Sequence, residues 1–147
     1  CGEMVKSKEE FHVKCLKKLF GGALLPELDL SLSEISIKAQ EMAGRLSISG
    51  VQPKLSLKLD KKNNRLVISK EDGEYILKPQ VERFNNIPQN ENLCMIMAKK
   101  VGIAVPPHTL IKFKDKSLAY IIKRFDRTKK VKLNQEDFLK ILGESDK

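Results

Sequence analysis

The chain has 147 residues, 41% hydrophobic and 32% charged, with a net charge of +9. That composition belongs to a globular chain of single-domain size and excludes an intrinsically disordered one; no run of about eighteen apolar residues is present to span a membrane. Trp is absent and aromatics are only 5%, which argues against a base-stacking platform for single-stranded nucleic acid.

The positive excess suits an anionic partner such as nucleic acid, ATP or an acidic protein face, and a lysine-rich solvated surface accounts for it as readily. It is densest from Lys112 to Lys132, where nine basic residues meet only Asp115 and Asp126. No apolar h-region follows the N-terminus, so the cytoplasm is the expected compartment. In that setting Cys1, Cys15 and Cys94 do not suggest disulfides. The chain opens on Cys1 and ends in Gly143 to Lys147 without closing an element, so an excised or processed segment is expected.

Residues 1–22 read as a loop and then a helix. Phe11, Cys15, Leu16, Leu19 and Phe20 recur at helical spacing, and Gly21-Gly22 stops them. Cys1, His12 and Cys15 also fit a zinc reading: His and Cys at a helix start can share a tetrahedral Zn2+ with a preceding knuckle. The competing reading is an exposed His12 and a small core Cys15. Residues 23–30, with Pro26, read as a linker. Ser31 and Glu34 have the spacing of a capping box for a helix from about Ser33 to Met42, ended by Gly44. This N-terminal helical segment, 1–45, is expected to precede a second unit, 46–147.

The second unit opens on Ser47, Ser49 and Gly50, then Val51, Gln52, Pro53 and Lys54. Leu55, Leu57 and Leu59 alternate with polar residues, the period of a half-buried strand. A polar turn, Lys61 to Asn64, leads to a second strand, Arg65 to Ser69. Asp72-Gly73 is a hairpin signal before a third strand, Tyr75 to Lys78, broken by Pro79. A three-stranded antiparallel meander is expected. Residues 80–89 read as a loop, and Asn90 as the cap of a helix from Glu91 to about Val101, with Leu93, Met97 and Val101 on one apolar stripe. Pro106-Pro107 forces an extended approach to a fourth strand, Thr109 to Phe113. Leu118 to Ile122 is a fifth. Lys123 to Arg127 leaves the sheet, and Asn134 caps a short last helix carrying Phe138, Leu139, Ile141 and Leu142.

Three strands, a helix, two strands and a connecting segment is the order of a protein-kinase N-lobe, though many α+β domains share it. The residues narrow it. Ser47 to Leu55, Tyr75 to Pro79, Asn90-Glu91, Val101 to Pro106, Ile122 to Arg127 and Leu133 to Phe138 occur in sequence. Together they resemble the HipA family of bacterial toxin serine/threonine kinases of type II toxin–antitoxin systems, over about Ser47 to Leu142. The fold expected is therefore α+β: a kinase-like N-lobe with an antiparallel sheet of about five strands, a helix between the third and fourth, and N-terminal helices packed on it.

The resemblance implies roles. Ser49, Gly50, Val51, Gln52 and Lys54 would form the phosphate-binding turn, with backbone N–H groups aimed at anionic oxygens; by itself such a turn is more often only a turn. Lys78 would meet the α- and β-phosphates, where a lone lysine would be a strand-end surface residue. Glu91 would orient Lys78, or merely favour a helix N-terminus. Lys123 and Phe125 would offer hinge backbone groups to adenine, with Phe125 as a core residue the alternative. Family members autophosphorylate a serine in the turn, so Ser47 and Ser49 are candidates.

The implied cofactors are ATP and Mg2+, and the implied partners a kinase C-lobe in the parent chain, a HipB-like DNA-binding antitoxin and a protein substrate such as an aminoacyl-tRNA synthetase. The departure is in the catalytic half. After Lys78 the aspartates are Asp115, Asp126, Asp137 and Asp146, and none stands in an H-x-D, D-x-H-x-K-N or D-F-G-like context. These residues are expected to bind nucleotide without transferring phosphate. Two other readings stay open: a non-catalytic partner-binding module of a toxin–antitoxin system, and a basic nucleic-acid-binding domain working through Lys112 to Lys132.

Overall fold

A computed structural model describes residues 2, 3, 5, 10–31, 33–35, 37–38, 52–127, 133 and 141–143. Its elements are helix α1 (Val13–Phe20), strands β1 (Leu55–Asp60), β2 (Arg65–Ile68) and β3 (Tyr75–Pro79), helix α2 (Ile87–Lys100), and strands β4 (His108–Lys112) and β5 (Leu118–Lys123). The five strands form one sheet in the order β2-β1-β3-β5-β4, every pair antiparallel. The expected α+β architecture, with a helix between the third and fourth strands, is the one observed.

α1 forms where the apolar spacing places it. Leu16, Leu19 and Phe20 are buried, and burial of each side chain contributes about 1.5–3 kcal/mol. Lys17 and Lys18 lie in the last turn, where the helix dipole favours cations. Gly21 takes the left-handed conformation, φ 80°, and its N–H closes onto the Lys17 carbonyl at 2.9 Å. The capping box is present: Glu34 Oε2 accepts from the Ser31 N–H at 2.8 Å, and Ser31 Oγ from the Glu34 N–H at 3.3 Å. Residues 33–35, 37 and 38 are helical; the rest of that expected helix, and most of the last one, lie outside the described residues.

One face of the sheet carries the core. Leu55, Leu57, Leu59, Tyr75, Leu77, Ala119, Ile121 and Ile111 pack with Leu16, Leu19, Phe20 and Ile35. Tyr75 anchors the join: its ring lies 5.4 Å from that of Phe20, and its hydroxyl donates to the Leu19 carbonyl at 3.2 Å. The register puts Ser56, Ile76, Lys78, Tyr120, Ile122 and His108 on the other face, because successive side chains alternate. The expected linker also takes part: Glu27 bridges the outer edge of β2, through Glu27 N–H to Asn64 O and Leu66 N–H to Glu27 O. That bridge pairs backbone groups at the start of an otherwise open strand edge.

Three expectations need correction. The first three strands are not a meander, since β1 lies between β2 and β3. Asp72-Gly73 is not a hairpin turn; residues 69–74 carry the chain across β1, from the Ser69 N–H on Ser56 O to the Glu74 N–H on Leu57 O. The glycine is required by proximity, because a Cβ at Gly73 would stand 1.8 Å from Ser56 Oγ. α2 begins at Ile87 rather than Glu91, after Asn86 at φ 59°, with Pro88 in its first turn. Proline is at home there because the first N–H groups of a helix have no intrahelical partner. The stripe Leu93, Met97 and Val101 is exposed, at 54%, 57% and 76%. A four-residue spacing marks a face but does not say which face meets the sheet.

Candidate nucleotide-binding site

Three charged side chains meet on the sheet face opposite the core. Lys78 leaves β3, and its Nζ lies 2.5 Å from Glu91 Oε1 on α2. Both side chains are about three-quarters shielded, at 25% and 26% exposure. Beneath them Tyr120 of β5 stands opposite Lys78 in the register, its ring centroid 6.0 Å from Nζ.

Lys54, just before β1, is buried. Burial, and then the charge of Lys78, hold its ammonium below the usual lysine range, while Glu91 pulls the other way. Two ammoniums against one carboxylate leave a net positive pocket, suited to an anion. Gln52 Nε2 is buried without a hydrogen-bond partner among the described residues. It is a donor two residues from Lys54. A phosphate oxygen fits this set: amide N–H and ammonium groups both donate to it. Among these residues the one carboxylate is Glu91, already paired, so they offer nothing further for Mg2+.

The other predicted residues are distributed as follows. Ser47, Ser49, Gly50 and Val51 lie outside the described residues. Lys123 ends β5, and its N–H is already donated to the Pro107 carbonyl at 2.9 Å. Phe125 is 62% exposed and so is not a core residue of this chain. His12 and Cys15 approach at the start of α1, with Nδ1 and Sγ 4.0 Å apart; Cys1 lies outside the described residues. Among those described, no group of three or more His, Cys, Asp or Glu side chains could hold a metal ion.

Two neighbours of the site are set by the strand register rather than by any local motif. Tyr120 reads locally as a strand residue, and its place under Lys78 follows from the β3–β5 register. His108 stands in no motif; its Nδ1 lies 3.0 Å from Asn92 Oδ1 and its ring 5.7 Å from that of Tyr120. At the exit from β5, Arg124 and Asp126 form a buried bidentate pair. Nε donates to Oδ1 at 2.9 Å and a terminal nitrogen to Oδ2. In the sequence the pair's signal is an Arg and an Asp two residues apart, flanking Phe125.

Against the geometry stand the comparisons with known proteins. Residues 46–147 match the family model described as HipA-like C-terminal domain. The chain belongs to that family. A Haemophilus influenzae relative named "Putative kinase" is 39% identical over 76% of this chain and 33% of its own length. "Putative kinase Y4dM" of Sinorhizobium fredii is 34% identical over 73% of this chain and 30% of its own. This HipA-like chain therefore spans about a third of the length of the curated relatives it matches. A chain of the solved Shewanella oneidensis MR-1 toxin–antitoxin complex of HipA, HipB and operator DNA is a looser likeness. Its TM-score is 0.47 at 28% identity, over 73% of this chain and 28% of that one. Among the described residues no helix is long and apolar enough to cross a membrane.

Proposed function

We propose that this chain is the ATP-binding lobe of a HipA-like serine/threonine kinase of a toxin–antitoxin system. The observation that carries the reading is the Lys78–Glu91 ion pair, joining the third strand to the following helix with Lys54 beside it. In protein kinases a strand lysine held by a helix glutamate is what contacts the nucleotide phosphates. Lys78 meets the phosphates as a point charge, Lys54 and Gln52 add donors, and Glu91 holds Lys78 in place. The turn from Ser49 to Val51 supplies backbone N–H groups, and Lys123 and Phe125 border the adenine. Phosphorylation of Ser47 or Ser49 places roughly −1.5 to −2 charges at pH 7 in competition with ATP for the same cations, which would silence the site.

These 147 residues hold no aspartate in a catalytic-loop context. Phosphoryl transfer to a protein, such as an aminoacyl-tRNA synthetase, therefore draws its base and its Mg2+ ligands from the further length that the relatives carry. A HipB-like DNA-binding antitoxin is the proposed partner and the cytoplasm the proposed compartment. Isothermal titration with MgATP tests the binding step. Measurable binding that drops at least tenfold in Lys78→Ala is expected. Equal affinity in the variant, or none in the parent, rejects the assignment.

A second reading, a non-catalytic partner-docking module, is favoured by the exposed Leu93, Met97, Val101 and Phe125. It predicts no MgATP binding by a chain that still folds.

A further inference from the structure

α2 rests on the sheet through a side that is mostly half-buried, Ile87, Glu91, Asn92, Met95 and Ile96 among it. Of its fourteen residues only Pro88 is buried, and Leu93 and Met97 are exposed. Hydrophobic burial is non-directional and here is only partial, so directional contacts add to what fixes the rotation of the helix. Two directional contacts remain between α2 and the sheet. One is Lys78 to Glu91; the other is His108 Nδ1 to Asn92 Oδ1, at 3.0 Å. They use successive residues of the helix, which point about 100° apart. On the sheet they start from β3 and β4, with β5 between. Tyr120 of β5 fills the gap, within 6.0 Å of the Lys78 ammonium and 5.7 Å of the His108 ring. Two contacts on different strands restrict pivoting of the helix more than either alone.

The chemistry of the second contact is defined. The amide oxygen of Asn92 faces the ring nitrogen, so Nδ1 carries the proton and donates it. Burial, with Lys99 nearby, keeps the imidazole below its ordinary pKa and therefore uncharged near neutral pH.

We propose that His108 is a positioning residue for the ion pair: its Nδ1–H bond to Asn92 sets the rotation of α2 at which Glu91 meets Lys78. The inference rests on the reading of that pair as the nucleotide-binding pair, yet it is tested without nucleotide. The coupling between Lys78 and Glu91 is measured by urea unfolding of the parent, Lys78→Met, Glu91→Gln and the double variant. The cycle is then repeated in His108→Leu, Asn92→Leu and His108→Asn backgrounds. A coupling of about fivefold in the unfolding constant is expected in the parent, within the usual range for contacting residues. It should fall by at least half in both Leu backgrounds and return in His108→Asn, whose amide can donate from the place of Nδ1. A merely structural role would lower every member of a cycle alike and leave the coupling unchanged, and that result overturns the proposal. If His108→Leu does not fold, the Asn92→Leu cycle decides by the same criterion. MgATP titration of the parent separates the two failures. Coupling that depends on His108 in a chain that does not bind MgATP rejects the nucleotide reading alone. MgATP binding with undiminished coupling rejects the positioning role alone.

Discussion

Lys54 and Lys78 carry the same charge in one pocket, but their situations differ. Lys78 has a carboxylate at 2.5 Å; Lys54 is buried and held below the usual lysine range by that burial and by Lys78, with Glu91 acting the other way. A base whose folded pKa is depressed costs stability as long as it is protonated. Lys54→Met removes that cost along with the ammonium, and MgATP binding is expected to weaken about tenfold, read by titration calorimetry. Unchanged affinity would remove Lys54 from the site. Asp126 shows the opposite balance. The Arg124 guanidinium bonded to it holds its carboxyl below the usual carboxylate range, and both side chains are almost fully buried, at 2% and 4% exposure. Asp126→Ala leaves a buried cation unpaired, and a loss of about 3 kcal/mol or more is expected in denaturant unfolding. The pH sign follows from a lowered acid pKa. The contribution is present above the ordinary value of 3.8 and is lost as pH falls through the lower folded value. The parent should therefore lose its advantage over the variant only in that acid range.

Among the elements, the crossing at residues 69–74 decides the most. It moves the chain from one edge of β1 to the other, and so places β3, with Lys78, in the centre of the sheet. Asp72 ties the crossing down through Lys58 and Ser69. Gly73→Ala would drive a methyl group into Ser56 Oγ, and a loss of about 1–3 kcal/mol or more is expected. Ser56→Ala should recover part of it by removing the nearest atom, a coupling that a thermal-melt cycle reads directly. Additive losses would mean that the crossing does not pass where the structure puts it. α2 makes a related point. Its start at Ile87 and its exposed stripe show that the side it turns to the sheet, half-buried at Ile87, Glu91, Asn92, Met95 and Ile96, is not its most regular apolar face.

At the scale of the molecule, α1 and the sheet share one core, so the N-terminal segment supports the site from behind. Leu19, at 3% exposure, lies in that core beside Tyr75. Leu19→Ala is expected to cost about 2–5 kcal/mol in urea unfolding, and a loss under about 0.5 kcal/mol would argue that the segment is dispensable. The basic segment is less bare than its sequence. Lys112 pairs with Glu10, Lys114 with Asp29 and Arg124 with Asp126, and Arg127 donates to the Glu71 carbonyl. These contacts weaken the nucleic-acid reading for the part of the segment that is described.

The sequence by itself determined the local features: the period of two in Leu55, Leu57 and Leu59, the Gly21 stop, the Ser31–Glu34 box, and the motifs that mark the HipA-like family. Each is written within a few residues, where propensity, capping and alternation act. It also placed Lys78 and Glu91 as a candidate pair, although it left a bare helix-dipole role for Glu91 open. Tertiary structure alone decided that β3 lies against β1 and β5, that Gly73 is a close approach rather than a hairpin, and that Leu93 and Met97 face outward. It also decided that Tyr120 and His108 stand beside the pair. These outcomes depend on which strand edges meet across dozens of residues and on which face of a helix then finds the sheet. A periodic pattern shows that a face exists; only packing chooses its partner.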